Sequence, residues 1–228
     1  MAKKKGSKKD KESKFIYKKK SAWEIFTKDK IKKAFDFCKD YKEFLNIAKT
    51  EREAIQQINE IAKKGKKKII LNKNKAAAII VPGKRPISEG LRIVISHIDT
   101  PRLDLKQIPL YEDTSCNVAL LETHYYGGIK KYHWVTIPLS LHGIVLKKDG
   151  KKVTFVLGES ESDPIFTVPD LLPHLSHKVQ DIKKLDDAIT GESLDIMVGS
   201  QPAKGEFTEK IKTSIKKYGS MLIELTPA

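Results

Sequence analysis

An apolar run that ends in a histidine constrains the fold of this chain more than any other feature. Leu91-Arg92-Ile93-Val94-Ile95-Ser96 leads into His97-Ile98-Asp99-Thr100-Pro101-Arg102. A short apolar run bounded in this way predicts a buried strand of an α/β sheet. Polar side chains gather where such a strand leaves its sheet, because the rigid backbone there faces a crevice. Pro101 has no N–H to give a ladder, so the strand should stop before it. His97 offers an imidazole suited to a transition metal. Asp99 stands where it can accept a hydrogen bond from the far ring nitrogen, fixing the tautomer and raising the basicity of the other nitrogen. The same residues also fit a solvated strand end in which Asp99 caps a turn.

The 228 residues suffice for one large domain or two smaller ones. No apolar run is long enough to span a bilayer, and no secretory leader is expected. Cys38 and Cys116 match no metal spacing, which fits a reducing, cytoplasmic setting rather than a disulfide framework. Cys38 falls on the apolar face of a predicted helix and reads as core. The formal charge of +15 raises nucleic-acid binding as a reading. Its excess lies mainly between Lys3 and Lys33, is almost all lysine and has few aromatics interleaved. A specific nucleic-acid surface needs stacking platforms and arginine forks, so a solvated tail explains the charge better.

Residues 1–20 have almost nothing to bury and read as disordered. Helical spacing of Ile31, Ala34, Phe35, Cys38, Tyr41 and Leu45 predicts a helix from Lys28 to Ala48. Thr50 and Glu53 form a capping box for a second helix that Gly65 ends. Both helices read as core-facing. Lys68–Leu71 and Ala76–Val81 flank Asn72-Lys73-Asn74-Lys75, a hairpin turn. Leu103–Leu110 alternates loosely until Tyr111-Glu112-Asp113 breaks the pattern. Leu120–Tyr126 reads as a strand entering the Gly127-Gly128 turn. His133–Lys147 reads as a long strand bent at Pro138 and Gly143, and Lys148-Asp149-Gly150-Lys151 turns it back into Val153–Leu157. A short helix over Val168–Val179, an amphipathic helix over Glu206–Tyr218 and a strand at Leu222–Leu225 follow. The acidic pairs Glu112-Asp113, Glu159/Glu161 and Asp186-Asp187 read as solvated surface. His124, His133 and His142 read as half-buried packing histidines.

The segments Ser96-His97-Ile98-Asp99-Thr100-Pro101-Arg102-Leu103 and Thr123-His124-Tyr125-Tyr126-Gly127-Gly128-Ile129-Lys130-Lys131-Tyr132 closely resemble the M18 family of metallo-aminopeptidases, the family of aspartyl aminopeptidase. Ile137-Pro138-Leu139-Ser140-Leu141-His142-Gly143, Lys147-Lys148-Asp149-Gly150 and Asp170-Leu171-Leu172-Pro173-His174-Leu175 extend the resemblance in the same order. It implies an α/β fold in which the first part of a zinc-exopeptidase catalytic domain is followed by a β-rich dimerisation domain. Mapped onto this chain, residues 1–20 form the tail, residues 21–105 the catalytic part and residues 106–228 the pairing domain. The change of sequence texture after Arg102 falls at the same place. The resemblance implies removal of N-terminal residues from peptides with two zinc ions in the complete site, and homo-oligomers built through residues 106–228. Composition and hydropathy predict no specific nucleic-acid partner and no membrane association. Carried over residue by residue, His97 resembles a zinc ligand and Asp99 the carboxylate of the catalytic site that orients it. His174, with His177 as its alternative, resembles a substrate-binding histidine that reaches a neighbouring subunit's site.

A two-metal site needs further carboxylates, a second histidine and a glutamate base. In the family these follow the pairing domain, and no substitute motif is found before Ala228. The expectation is therefore an N-terminal portion with little peptidase activity by itself and with uncovered apolar surface. Two other classes of function compete with this one: an inactive pairing module, and a lysine-rich polyanion binder whose affinity collapses with salt.

Overall fold

The computed structural model describes residue 17 and residues 19–204, 210–213 and 215. The chain divides into two units, Met1–Ile47 and Ala48–Ala228. In the first, a single turn α1 (Ala22–Ile25) is capped by Ser21 and followed by α2 (Lys28–Ile47). The Thr27 hydroxyl accepts from the Lys30 amide at 3.4 Å at the start of α2. The helix has the predicted bounds, but it contains no buried residue and Cys38 is exposed. The assignment of Cys38 and of this helix to a core is corrected accordingly. Helical spacing fixes which residues share a face, not whether anything covers that face.

The second unit opens with α3 (Glu51–Lys64), which carries the predicted capping box and ends at Gly65. Of the apolar stripe expected at Ile55, Ile58, Ile61 and Ala62, only Ile55 and Ala62 are buried, together with Ala54, while Ile61 is 60% exposed. Strands β1 (Lys68–Asn72) and β2 (Ala76–Ile80) form an antiparallel hairpin. Lys73 and Asn74 both take positive φ, 51° and 53°. Both lie in the three-residue turn 73–75 between the paired Asn72 and Ala76, where the Lys75 amide donates to the Asn72 carbonyl at 3.0 Å. Arg52 of α3 donates to the Lys73 carbonyl at 3.2 Å, tying the turn to the helix.

Leu91–Ser96 is not a strand. Residues 90–101 pair with no described strand, and Val94 and Ile95 are 97% and 88% exposed. The residues have the composition of a strand covered on both faces. A strand needs neighbours to accept its ladder, and none of the described segments supplies them. The histidine therefore follows a segment without regular secondary structure rather than a strand.

The central sheet follows, in the order β3 (Arg102–Asp113), β4 (Val118–Tyr126), β7 (Ile196–Gly199), all antiparallel. Tyr111-Glu112-Asp113 does not break β3. An irregularity between Leu105 and Leu110 absorbs Pro109, and pairing resumes from Leu110↔Leu121 to Asp113↔Val118. Glu112 is not merely solvated: its carboxylate accepts the Ile211 and Lys212 amides at 3.0 and 2.9 Å. Of the predicted run His133–Lys147, only β5 (Leu141–Leu146) is a strand, paired with β6 (Lys152–Leu157) across the Asp149-Gly150 turn. Val135 and Leu139 instead form single bridges to Val168 and Phe166. The helix predicted over Val168–Val179 shrinks to α4 (Pro173–Ser176), because Val168 is buried in a bridge and cannot also start a helix. A second turn, α5 (Leu185–Ala188), contains Asp186 and Asp187.

The core of this unit gathers Phe166, Val168, Ile189, Leu194 and Ile196, with Leu103, Leu121, Tyr132, Trp134 and Val135 packed against it. Thr123 is buried among them. Its hydroxyl donates to the Leu194 carbonyl at 2.6 Å and its amide to Asp195 at 3.2 Å. The lysine-rich stretch before residue 17 and the strand expected at Leu222–Leu225 lie outside the described residues. Of the helix expected over Glu206–Tyr218, residues 210–213 and 215 are described, and they are helical.

Candidate active site

The register of the β3–β4 ladder decides what surrounds His97. Arg102, the first residue of β3, pairs with Tyr126, the last of β4. The segment 97–101 enters the sheet at that point, beside the turn that leaves it. Gly127 takes φ +82°, a conformation that side chains rarely adopt, and its face lies against Pro101. The loop that carries the histidine and the end of β4 are thus held together.

His97 Nδ1 lies 3.1 Å from both the Asp99 carboxylate and the Asp99 carbonyl oxygen. Both neighbours are acceptors, so Nδ1 carries the proton, and in the neutral ring the Nε2 lone pair is left free. The imidazole is 84% exposed, with that lone pair open to a ligand. The second Asp99 oxygen accepts the Tyr126 hydroxyl at 2.8 Å. This hydroxyl is the largest influence holding the Asp99 carboxyl below its usual range, followed by its own backbone amide, with His97 acting in the same direction. The Tyr126 phenol is pushed up in turn, chiefly by Asp99.

Behind Tyr126 stands Arg102, its guanidinium 4.1 Å from the ring centroid. Arg102 is itself tethered, to Asp104 at 2.7 Å and to Glu51 of α3 at 3.0 Å. The Thr100 hydroxyl donates to the Lys49 carbonyl at 3.3 Å, a second tie from the loop to the start of α3.

The structure joins His97 and Asp99 as expected, and joins His174 to neither. His174 is exposed on α4, whereas His177 is held by Asp181 at 2.5 Å. His124 and His133 are exposed rather than half-buried. His142 is the one packing histidine of the three, its ring between Glu53 at 2.7 Å and Glu159 at 3.0 Å. Among the described residues no group of three or more His, Cys, Asp or Glu side chains could hold a metal ion. His97 fits one ligand position with its orienting carboxylate, and the described residues do not complete a site around it.

Comparison with known proteins adds the lineage. The family model "Aminopeptidase I zinc metalloprotease (M18)" matches residues 15–226. This chain belongs to the M18 family. It is 42% identical over 217 residues to "Probable M18 family aminopeptidase 1" of Clostridium acetobutylicum, covering 87% of this chain and 46% of that protein. The Thermotoga maritima protein of the same name is 38% identical over 224 residues. Among solved structures, the M18 aminopeptidase of Thermotoga maritima superposes with a TM-score of 0.82 at 37% identity, over 91% of this chain and 47% of that one. Aminopeptidase I of Clostridium acetobutylicum gives 0.77 at 37% identity, over 90% and 49%. This M18 chain therefore spans about half the length of the relatives it matches.

Tyr126 and Arg102 are the residues of this M18 chain whose part sequence reasoning left unassigned. Their signal was present in two places: the turn Tyr126-Gly127-Gly128, and an arginine directly after the His-x-Asp-x-Pro run. Only the strand register reveals that the two meet.

Proposed function

We propose that this chain carries the first part of an M18 aminopeptidase active site, with His97 as a zinc ligand and Asp99 as the residue that orients it. The observation that carries the reading is the double engagement of Asp99, by His97 Nδ1 on one oxygen and by the Tyr126 hydroxyl on the other. A carboxylate held in this way keeps the imidazole in the tautomer with Nε2 unprotonated, the form a metal requires. Bound zinc supplies Lewis acidity at a scissile carbonyl. Asp99 holds the proton on Nδ1, and the β3–β4 ladder sets the direction of the ring. The proposed substrate is a peptide, from which one N-terminal residue is removed. Two zinc ions are proposed for the complete site, with the remaining ligands contributed by polypeptide outside the described residues.

His174 is proposed as a substrate-side histidine in an assembly of like chains paired through residues 106–228. Exposed Ile108 and Leu146 supply apolar surface for such pairing. The unpaired cysteines agree with a reducing, cytoplasmic setting.

The test is a chimera that joins this chain to the remaining half of the Clostridium acetobutylicum relative. It should release N-terminal residues from peptides in a zinc-dependent reaction. His97→Ala should lower the rate at least about a hundredfold. A folded chimera equally active with and without the imidazole would sink the proposal.

A further inference from the structure

We propose that Tyr126 is a positioning residue for His97, acting through Asp99, and that Arg102 holds the Tyr126 ring in place for that task. The proposal rests on the reading of His97 as a metal ligand and extends it to residues on the opposite strand.

His97 and Asp99 are two residues apart in a segment that belongs to no sheet, and the imidazole is largely in solvent. A hydrogen bond between two such side chains has little to keep it in one geometry. The carboxylate can turn about its own side-chain bonds, and the ring then loses its partner. Tyr126 removes that freedom from outside the loop. It closes a nine-residue strand whose register with β3 is fixed, and its hydroxyl reaches the Asp99 oxygen that His97 does not use, at 2.8 Å. With one oxygen on each partner, the carboxylate plane is set by the sheet rather than by the loop.

The Tyr126 ring is restrained in turn. The Arg102 guanidinium lies 4.1 Å from its centroid, within the range of a cation–π contact. Arg102 cannot swing away easily, because Asp104 engages Nε at 2.7 Å and Glu51 engages Nη1 at 3.0 Å. A planar guanidinium presents a face to the ring while its edge serves both carboxylates, which a lysine cannot do. Gly127 supports the same arrangement by letting the turn after Tyr126 lie on Pro101. The chain of contacts therefore runs from Glu51 and Asp104 through Arg102, Tyr126 and Asp99 to the ring of His97.

The test reads the tautomer of His97 in the whole chain without metal, by long-range proton–nitrogen correlation at a pH well above ~6.5, where free imidazole is neutral. His97→Gln assigns the signal by removing it. The form with the proton on Nδ1 should dominate in the native chain. Tyr126→Phe keeps the ring and deletes the hydroxyl, and should lower the ratio of that form to its alternative about fivefold, the range one net hydrogen bond controls. Arg102→Gln should lower it in the same direction by less. A ratio unchanged in Tyr126→Phe, with the amide spectrum native-like, overturns the proposal. The zinc dependence of the chimera reads the ligand role separately. A fallen ratio together with zinc-dependent activity indifferent to His97 would uphold the positioning and remove the ligand reading.

Discussion

Asp99 has two oxygens, and the structure gives each a different partner. That arrangement predicts what its loss does. In the zinc-loaded chimera, Asp99→Ala should weaken metal affinity by about 10- to 100-fold while leaving the fold intact, as measured by competition with a chelating dye. An affinity equal to that of the parent would remove Asp99 from the site. Thr123 makes a comparable argument in the core. It is buried, and its hydroxyl is the donor to the Leu194 carbonyl. Thr123→Val keeps the shape and strands that acceptor, so urea unfolding should show a loss of about 1–3 kcal/mol. His97 and Asp99 were legible in the sequence because their pairing is local, two residues apart. Tyr126 was not legible as their partner, because the contact spans 27 positions and depends on which residue of β4 faces Arg102.

At the level of elements, one histidine joins α3 to the β5–β6 hairpin. Both nitrogens of His142 face carboxylates, Glu53 on one side and Glu159 on the other, and the Ser140 hydroxyl donates to Glu159 at 2.6 Å. Glu53 serves twice. Its other oxygen accepts the Thr50 amide and closes the capping box. Glu53→Ala should therefore cost more than a lost cap, about 2–3 kcal/mol in thermal or urea unfolding, because it also unpairs a ring that is 10% exposed. The Glu159 carboxyl is held below its usual range, first by Ser140 and then by His142. A carboxyl lowered in the folded state stabilises above the unfolded value of ~4.3, and that contribution fades as pH falls through the lower folded value. Stability measured from neutral to acid pH should show this loss, and Glu159→Gln should flatten the curve in that window. The capping box, the Lys73-Asn74 turn and the Asp149-Gly150 hairpin were all readable in advance, since each is set by a handful of adjacent residues. The length of β3 and the shortness of α4 were not. Both follow from pairing with distant strands: β4 carries β3 past Pro109, and the Val135 bridge keeps Val168 extended.

Across the whole molecule, the uncovered apolar surface expected from the sequence lies in part on the segment that reads as a buried strand. Leu91, Ile93, Val94 and Ile95 are all strongly exposed, and Ile79 and Ile80 of β2 are partly so. A run of exposed apolar residues such as Ile93, Val94 and Ile95 marks a contact face. The isolated chain should bind a hydrophobic dye, and replacing both Val94 and Ile95 with lysine should lower that binding severalfold without loss of helix signal. Unchanged dye binding would place the open surface elsewhere. The sequence texture of that segment announced a buried strand, which requires neighbours on both edges, and no described residue provides one. The sequence therefore identified the strand-like composition of the segment but not its state in this chain. Its place beside His97 connects the open surface to the proposed active site, whose remaining ligands are likewise to be supplied from elsewhere. The most direct measurement of that account is the anomalous scattering of zinc in crystals of the chimera. A peak about 2.0–2.1 Å from His97 Nε2, with Nδ1 still on Asp99, is the predicted result. A zinc site that excludes His97, or one that engages it through Nδ1, would contradict the account.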